Sequence, residues 1–351
     1  MYFINSNGNI LRNNSFWNNG IWFNGAPETL LQNDIDQSNT VNGKKIACYS
    51  NAHGLDQENF TNSGMVILLN CSDSKISNLN IERTHMGISL IGGENITVEN
   101  NSVQECYYYG IFLNEAMETV ISNNEITNNK NGIKIDYAYN TILEENDILE
   151  NQEMGIELWG TNDNEIRDNS IANNKHGMYF IASKRNIVTK NDFTENSHSG
   201  IYFTSCSCGT NTNNVIVENL FSENGDGINI RYSHSTEVSE NTIVNNLKNG
   251  IVLHSSDFSK ISHNFISTNA EFGILLKYSN HNEITDNVFD DNGQGCYSEF
   301  SCKDNIFENN DCISGTSQPI VRLIIVFVSL AALTAIMGIY YKLKHRKTKF
   351  K

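Results

Sequence analysis

A glycine that opens a Gly-apolar-x-apolar tetrad falls at Gly64, Gly87, Gly110, Gly132, Gly155, Gly177, Gly200, Gly227, Gly250 and Gly273. The interval is 22 or 23 residues in every case but one. The exception, 27 residues from Gly200 to Gly227, holds "CSCGTNTNN" and reads as a surface loop inserted into one repeat. Gly20 stands two periods before Gly64 and Gly295 one period after Gly273, so the repeat spans nearly the whole chain. Self-similarity at a fixed period constrains the architecture before any single residue does.

A unit of this length has room for three strands of about 3–5 residues joined by tight turns, and none for a helix of ordinary length. Ile88 and Leu90 alternate with Ser89 and Ile91, and further apolar signals follow at Ile96, Val98 and Val103. Three short strands per turn at a constant period predict an all-β chain, a parallel β-helix solenoid of about 12 coils. Leucine-rich repeats share the period but need a Leu-x-x-Leu-x-Leu consensus that is missing here.

Counting 14 residues on from the repeat glycine gives Asn78, Asn101, Asn124, Asn146, Asn169, Asn191, Asn241, Asn264 and Asn287. In coils about 4.8 Å apart, such amides can donate to one neighbour and accept from the other as a ladder. Asparagine also tolerates the left-handed conformation that sharp corners require. These residues are read as scaffold.

The expected organisation is N-terminal coils at 1–40, an irregular coil or loop at 41–63, regular repeats at 64–312 and a linker at 313–319. A transmembrane helix is expected at 320–341. From Leu323 to Tyr341 the chain carries no charge over 19 residues, enough as a helix to cross about 28 Å of bilayer. Lys342, Lys344, Arg346, Lys347, Lys349 and Lys351 follow it. The positive-inside rule then places the tail 342–351 in the cytoplasm and the repeats outside. The expectation is a single-pass protein of the cell membrane with the lipid bilayer as one partner. Export needs a signal that "MYFINSNGNILRNN" lacks. A start truncated relative to the full gene is therefore expected, with a tail-anchored protein carrying a cytosolic domain as the alternative.

The formal net charge of −16 includes the basic tail, so the repeats are more acidic still. That argues against nucleic acid as a partner, because phosphate backbones select basic stripes. Asn-x-Ser/Thr sequons at Asn13, Asn59, Asn70, Asn95 and Asn100 are weak signals in a chain so rich in these residues. Of the cysteines, Cys296, Cys302 and Cys312 cluster where the solenoid must end, and a disulfide among them would pin that cap. Neither this trio nor Cys206-Ser-Cys208 has the paired spacing of structural zinc. No metal site or cofactor is assigned.

The second and fourth residues after each glycine are expected to face outward, and stacking would merge them into one strip. Its early coils supply Ser89, Ile91, Phe112 and Asn114. Its middle carries Lys134, Asp136, Glu157, Trp159, Tyr179, Tyr202, Asn229, Arg231 and His254. Sugar rings stack on aromatic faces while their hydroxyls take polar partners, so a glycan groove is expected over these nine residues. The competing reading is that aromatic and β-branched residues simply suit exposed sheets. Asp136 and Glu157, on adjacent coils and offset by two residues, could bring their carboxyls within roughly 6–9 Å, near the separation used by inverting glycosidases. Lys134 beside them equally suggests a plain cross-coil ion pair.

The repeat N-x-I-x-x-N…G-I-x-L, with "NTVNGKKIACYS" and then "GMVILLNCSDSKISNLNI", resembles the NosD-type right-handed β-helix family of carbohydrate-binding and sugar-hydrolase repeats. The resemblance covers about residues 1–312 and implies a right-handed coil. Members include periplasmic copper-maturation proteins, polysaccharide lyases and epimerases, and surface proteins without a known reaction. The chain departs from the active members. The Asp-Pro-His-Glu motif of the mannuronan epimerases is ruled out, since Pro27 is the only proline of the repeats, and Gly-His-Gly and Arg-Ile-Lys motifs are missing. Copper handling would need grouped soft ligands, whereas His85, His176, His198, His234, His254 and His263 occupy different repeat positions. The resulting expectation is a membrane-anchored surface β-helix that binds a glycan or another surface partner. The alternatives are a polysaccharide-active enzyme working around Asp136 and Glu157, and a copper-maturation accessory protein.

Overall fold

Each unit folds as one longer and two short parallel strands, as in Asn131–Asp136, Ile142–Glu144 and Asp147–Leu149. The computed structural model describes residues 1–313, and over this range the repeats build three parallel walls. Register is kept over whole turns: Ile133 pairs with Ile156, and Ile156 with Met178. From Gly87 to Gly273 each column of the sequence becomes a column of the wall, whereas Gly64 stands one residue out of register, Val66 and not Met65 lying beside Ile88. The interior is a continuous apolar stack in which Ile133, Ile135, Leu143 and Ile148 are fully buried.

Buried amides close the corners. From Asn101 through Asn124, Asn146, Asn169, Asn191, Asn219, Asn241, Asn264 and Asn287 to Asn310, each Nδ2 donates to the next Oδ1 at 2.9–3.1 Å. Asn219 fills the turn lengthened by the insertion. Asn78 does not join, contrary to expectation: its Nδ2 donates to Ser77 Oγ, and Leu79 N donates to Asn101 Oδ1 instead. A second ladder runs from Asn129 through Asn151, Asn174, Asn196, Asn224, Asn246 and Asn269 to Asn292. The left-handed corner seat belongs to the residue before the ladder asparagine, for example Asn123 at φ 55°, Glu145 at φ 53° and Lys190 at φ 56°.

The repeat glycine is explained by close approach. A Cβ on Gly132 would stand 2.4 Å from Gly155 O and 2.8 Å from Ile148 Cγ2. That Cβ would point inward, as does Ile133, so two successive residues face the core and the alternation resets at each glycine.

The chain forms more turns than the expected 12 or so. Twelve turns stack from Lys44–Ser50 to Gly295–Phe300, and two more lie in the N-terminal segment, giving about 14 turns. Those two are not stacked on the end of the main helix. They form a separate pair, with Tyr2–Ile4 beside Trp22–Asn24 and Ile10–Leu11 beside Asp34–Ile35. An Asn42-Gly43 turn, with φ 51° and 77°, reverses the chain. Thr40–Val41 thereby pairs antiparallel with Lys44–Ser50. The pair then packs sideways, its Phe3, Ile21, Phe23 and Leu30 meeting Met65, Ile67, Ile91 and Phe112 of the main stack in one buried cluster. Asn114 Nδ2 donates to Gly25 O at 3.3 Å across this contact.

Within 41–63, where an irregular coil or loop was expected, Lys44–Ser50 is a full wall strand. The short helix Gln57–Phe60, capped by Asp56, brings Phe60 and Leu55 into the first end of the core. The expected membrane helix at 320–341, the tail 342–351 and the linker after Ile313 lie outside the described residues. Among the described residues no helix is long and apolar enough to cross a membrane.

Candidate functional site

The first wall places the outward columns as the spacing requires. Lys134 pairs with Glu157 and Asp136 with Trp159. Glu157 pairs in turn with Tyr179, Tyr179 with Tyr202, and Tyr202 with Asn229. Arg231 pairs with His254. All nine candidate residues therefore share one wall. The exposed strip is smaller than expected: Ser89, Ile91 and Phe112 are buried, the last two beneath the N-terminal pair of coils, and of the nine candidates Lys134, Glu157 and Asn229 are buried as well.

Lys134 organises the first half. Its Nζ donates to Glu157 Oε1 at 2.9 Å and stands 3.4 Å from Asp136 Oδ1. The ammonium also sits 4.7 Å from the Trp159 ring centre and 5.7 Å from that of Tyr109. Burial opposes its charge, but Glu157 and Asp136 outweigh that, and its pKa is raised. Burial pushes the Asp136 carboxyl up to about 6, with Glu157 adding to the effect and Lys134 opposing it. Burial likewise pushes the Tyr109 phenol up to about 12. The two carboxylates are thus held by a shared cation, the arrangement of an ion-pair cluster. Asp136 Oδ1 and Trp159 Nε1 are buried without hydrogen-bond partners among the described residues.

The second half is aromatic. Tyr179 and Tyr202 stack at 5.1 Å between ring centres with an interplanar angle of 22°. The Arg231 guanidinium lies 5.5 Å from the Tyr202 ring centre, and its Nε donates to Asn229 Oδ1 at 3.0 Å. Asn229 Nδ2 in turn donates to Asp226 Oδ2 at 2.8 Å. His254 meets Tyr232 and Tyr278 edge-on at the adjoining corner. Its pKa is lowered by burial and by Arg231.

Tyr109, His176 and Asp226 belong to the same surface and were missed. Each precedes a repeat glycine, where strict alternation points inward; the double inward turn at the glycine sends them out. His176 is buried against Tyr179 and Tyr202, with its Nδ1 2.8 Å from Ser199 Oγ. Burial, with His198 and Lys175 nearby, lowers its pKa to about 4.

The structure brings the His176 and His198 rings to 5.2 Å, although the two occupy different repeat positions. Among the described residues no three His, Cys, Asp or Glu side chains converge to hold a metal ion. The donors present do not fit a copper centre, and no chemistry is derived through one. Of the terminal cysteines, Cys296 and Cys312 form the disulfide and Cys302 is free; Cys206 and Cys208 also pair.

Two family models match the chain: "Right handed beta helix region" over residues 64–210 and "Periplasmic copper-binding protein (NosD)" over residues 194–319. Over these segments the chain is similar to right-handed β-helix proteins and to the NosD type. No curated protein matches it. Among solved structures it is similar to the Azotobacter vinelandii mannuronan C-5 epimerase AlgE4 A-module, with 12% identity, TM-score 0.55, and coverage of 80% of this chain and 89% of that one. It is similar to the periplasmic alginate epimerase AlgG, with 12% identity, TM-score 0.57, and coverage of 76% and 85%. The Dettilon tailspike protein matches at 15% identity and TM-score 0.51, covering 75% and 61%. Likeness at these identities concerns the fold.

Proposed function

We propose that the chain is a membrane-anchored surface β-helix that binds a glycan along the first wall from Lys134 to His254. The observation that carries this reading is the stacked, half-buried Tyr179 and Tyr202 pair with Trp159 on one side and Arg231 on the other, all in register on one wall. Aromatic faces supply stacking area at little entropic cost, and the amide and charged groups beside them suit hydroxyls. Neighbouring folds named as epimerases of mannuronan and alginate agree with a polysaccharide ligand. Anchoring rests on the uncharged run Leu323 to Tyr341 and the basic residues after it. A glycan array with residues 1–318 tests the reading. Trp159→Ala and Tyr179→Ala should each weaken the best ligand about three- to tenfold; unaltered affinity discards this wall.

A polysaccharide-active enzyme is the second reading. It is favoured by the Asp136 carboxyl at about 6, a value suited to proton transfer near neutrality. Product analysis on any array hit separates the two readings. New reducing ends or unsaturated products that vanish in Asp136→Asn support the enzyme, and ligand recovered unchanged supports binding.

A further inference from the structure

Sideways packing of the N-terminal coils creates a cleft of about 570 Å³ whose lining shares no residue with the aromatic strip. One side is the helix Pro27–Leu30, seated so closely that a Cβ on Gly92 would stand 3.2 Å from Pro27 Cβ. The other side is the corner where the first wall ends, with Glu115, Met117, Tyr137 and Tyr139. The volume is that of a small-molecule site.

The lining has a definite chemistry. The side chains of Glu28, Glu115, Tyr137 and Tyr139 make no hydrogen bond or ion pair with any described residue. They thus face the cleft as two carboxylates and two phenols with free capacity. Tyr137 is 46% exposed, yet its ring is fixed from behind: a Cβ on Gly160 would stand 2.7 Å from Tyr137 Cε1. A ring backed by main chain and open on its remaining surface is a stacking platform. Among the described residues no Lys, Arg or His lines the cleft, and the whole chain carries a formal charge of −16. An anionic sugar would enter this space against two carboxylates with no cation to receive it.

We propose that this cleft binds a neutral sugar ring, stacked on Tyr137, with its hydroxyls donating to Glu28 and Glu115. The inference rests on the glycan reading and adds a second subsite to it: the ligand class of this cleft excludes uronates. The test is calorimetry of the full chain in detergent with cellotetraose and with tetragalacturonate at equal ionic strength. Cellotetraose should bind at least tenfold tighter. Glu115→Gln, which removes a carboxylate acceptor, and Tyr137→Ala, which removes the stacking face, should weaken it at least threefold each. Equal or tighter binding of tetragalacturonate overturns the proposal. So does cellotetraose binding that is lost in Tyr179→Ala and unaffected in Glu115→Gln and Tyr137→Ala, an outcome that would leave the first-wall reading standing. Absence of binding by either sugar overturns the cleft, and the array then decides the wall separately.

Discussion

Asn169 closes bonds that nothing else in the interior supplies: its amide donates to Asn191 Oδ1 at 2.9 Å and to the Leu143 and Arg167 carbonyls, and its Oδ1 accepts from Asn146 N at 3.0 Å. Replacing it by alanine strands buried donors and acceptors on two neighbouring coils. Asn169→Ala should therefore cost about 1–3 kcal/mol in urea unfolding; a loss too small to measure would mean the ladder is ornamental. Two buried titrating groups give opposite pH slopes. Asp136, at about 6 in the fold against 3.8 ordinarily, keeps a proton that the unfolded chain releases, so its contribution to stability is present below about 4 and lost as pH rises through 6. His176, lowered from 6.5 to about 4, does the reverse, contributing above 6.5 and losing this as pH falls through 4. Asp136→Asn removes only the first slope. Its stability should fall more steeply than that of the unaltered chain between pH 6.5 and pH 4, by roughly 1–3 kcal/mol over the window. Parallel curves would contradict the assignment.

At the scale of elements, the period made the wall strands, their register and one asparagine ladder readable. Lys134, Asp136, Glu157 and Trp159 came together as the spacing required. Tyr109 and His176 escaped because the glycine before the tetrad breaks the alternation, a backbone event with no signature beyond the glycine itself. The second ladder was in plain view, 19 residues after most repeat glycines, in Asn129, Asn151 and Asn174. The two disulfides differ in what they hold. Cys206 and Cys208 close a loop of sequence separation 2 on an exposed insertion, whereas Cys296 and Cys312 are separated by 16 residues and join two walls of the last coils. Loop closure of that length is worth about 3 kcal/mol. Cys296→Ser with Cys312→Ser should thus release amide exchange in the terminal coil and lower the unfolding midpoint, whereas Cys206→Ser with Cys208→Ser should leave the midpoint nearly unmoved. Equal effects would refute the contrast.

At the scale of the whole molecule, the N-terminal pair of coils acts as a side cover. It buries Met65, Ile67, Ile91 and Phe112, which otherwise would form an apolar patch on the first wall. Removing residues 1–42 should leave the β-sheet circular dichroism of the main stack while the protein gains a hydrophobic-dye signal and self-associates. A dye signal equal to that of the intact chain would show the cover to be dispensable.

The repeat by itself determined the coil, its walls and the columns that run along them, because in a solenoid every contact between neighbouring turns joins residues at one fixed separation. Only the tertiary structure decided that the first two coils turn aside at Asn42-Gly43 and lie against the wall. Ile67, Ile91 and Phe112 satisfy the strand pattern equally well exposed or covered, and no periodic rule says which. The cleft beside Tyr137 follows from that lateral packing, between segments related by no constant spacing.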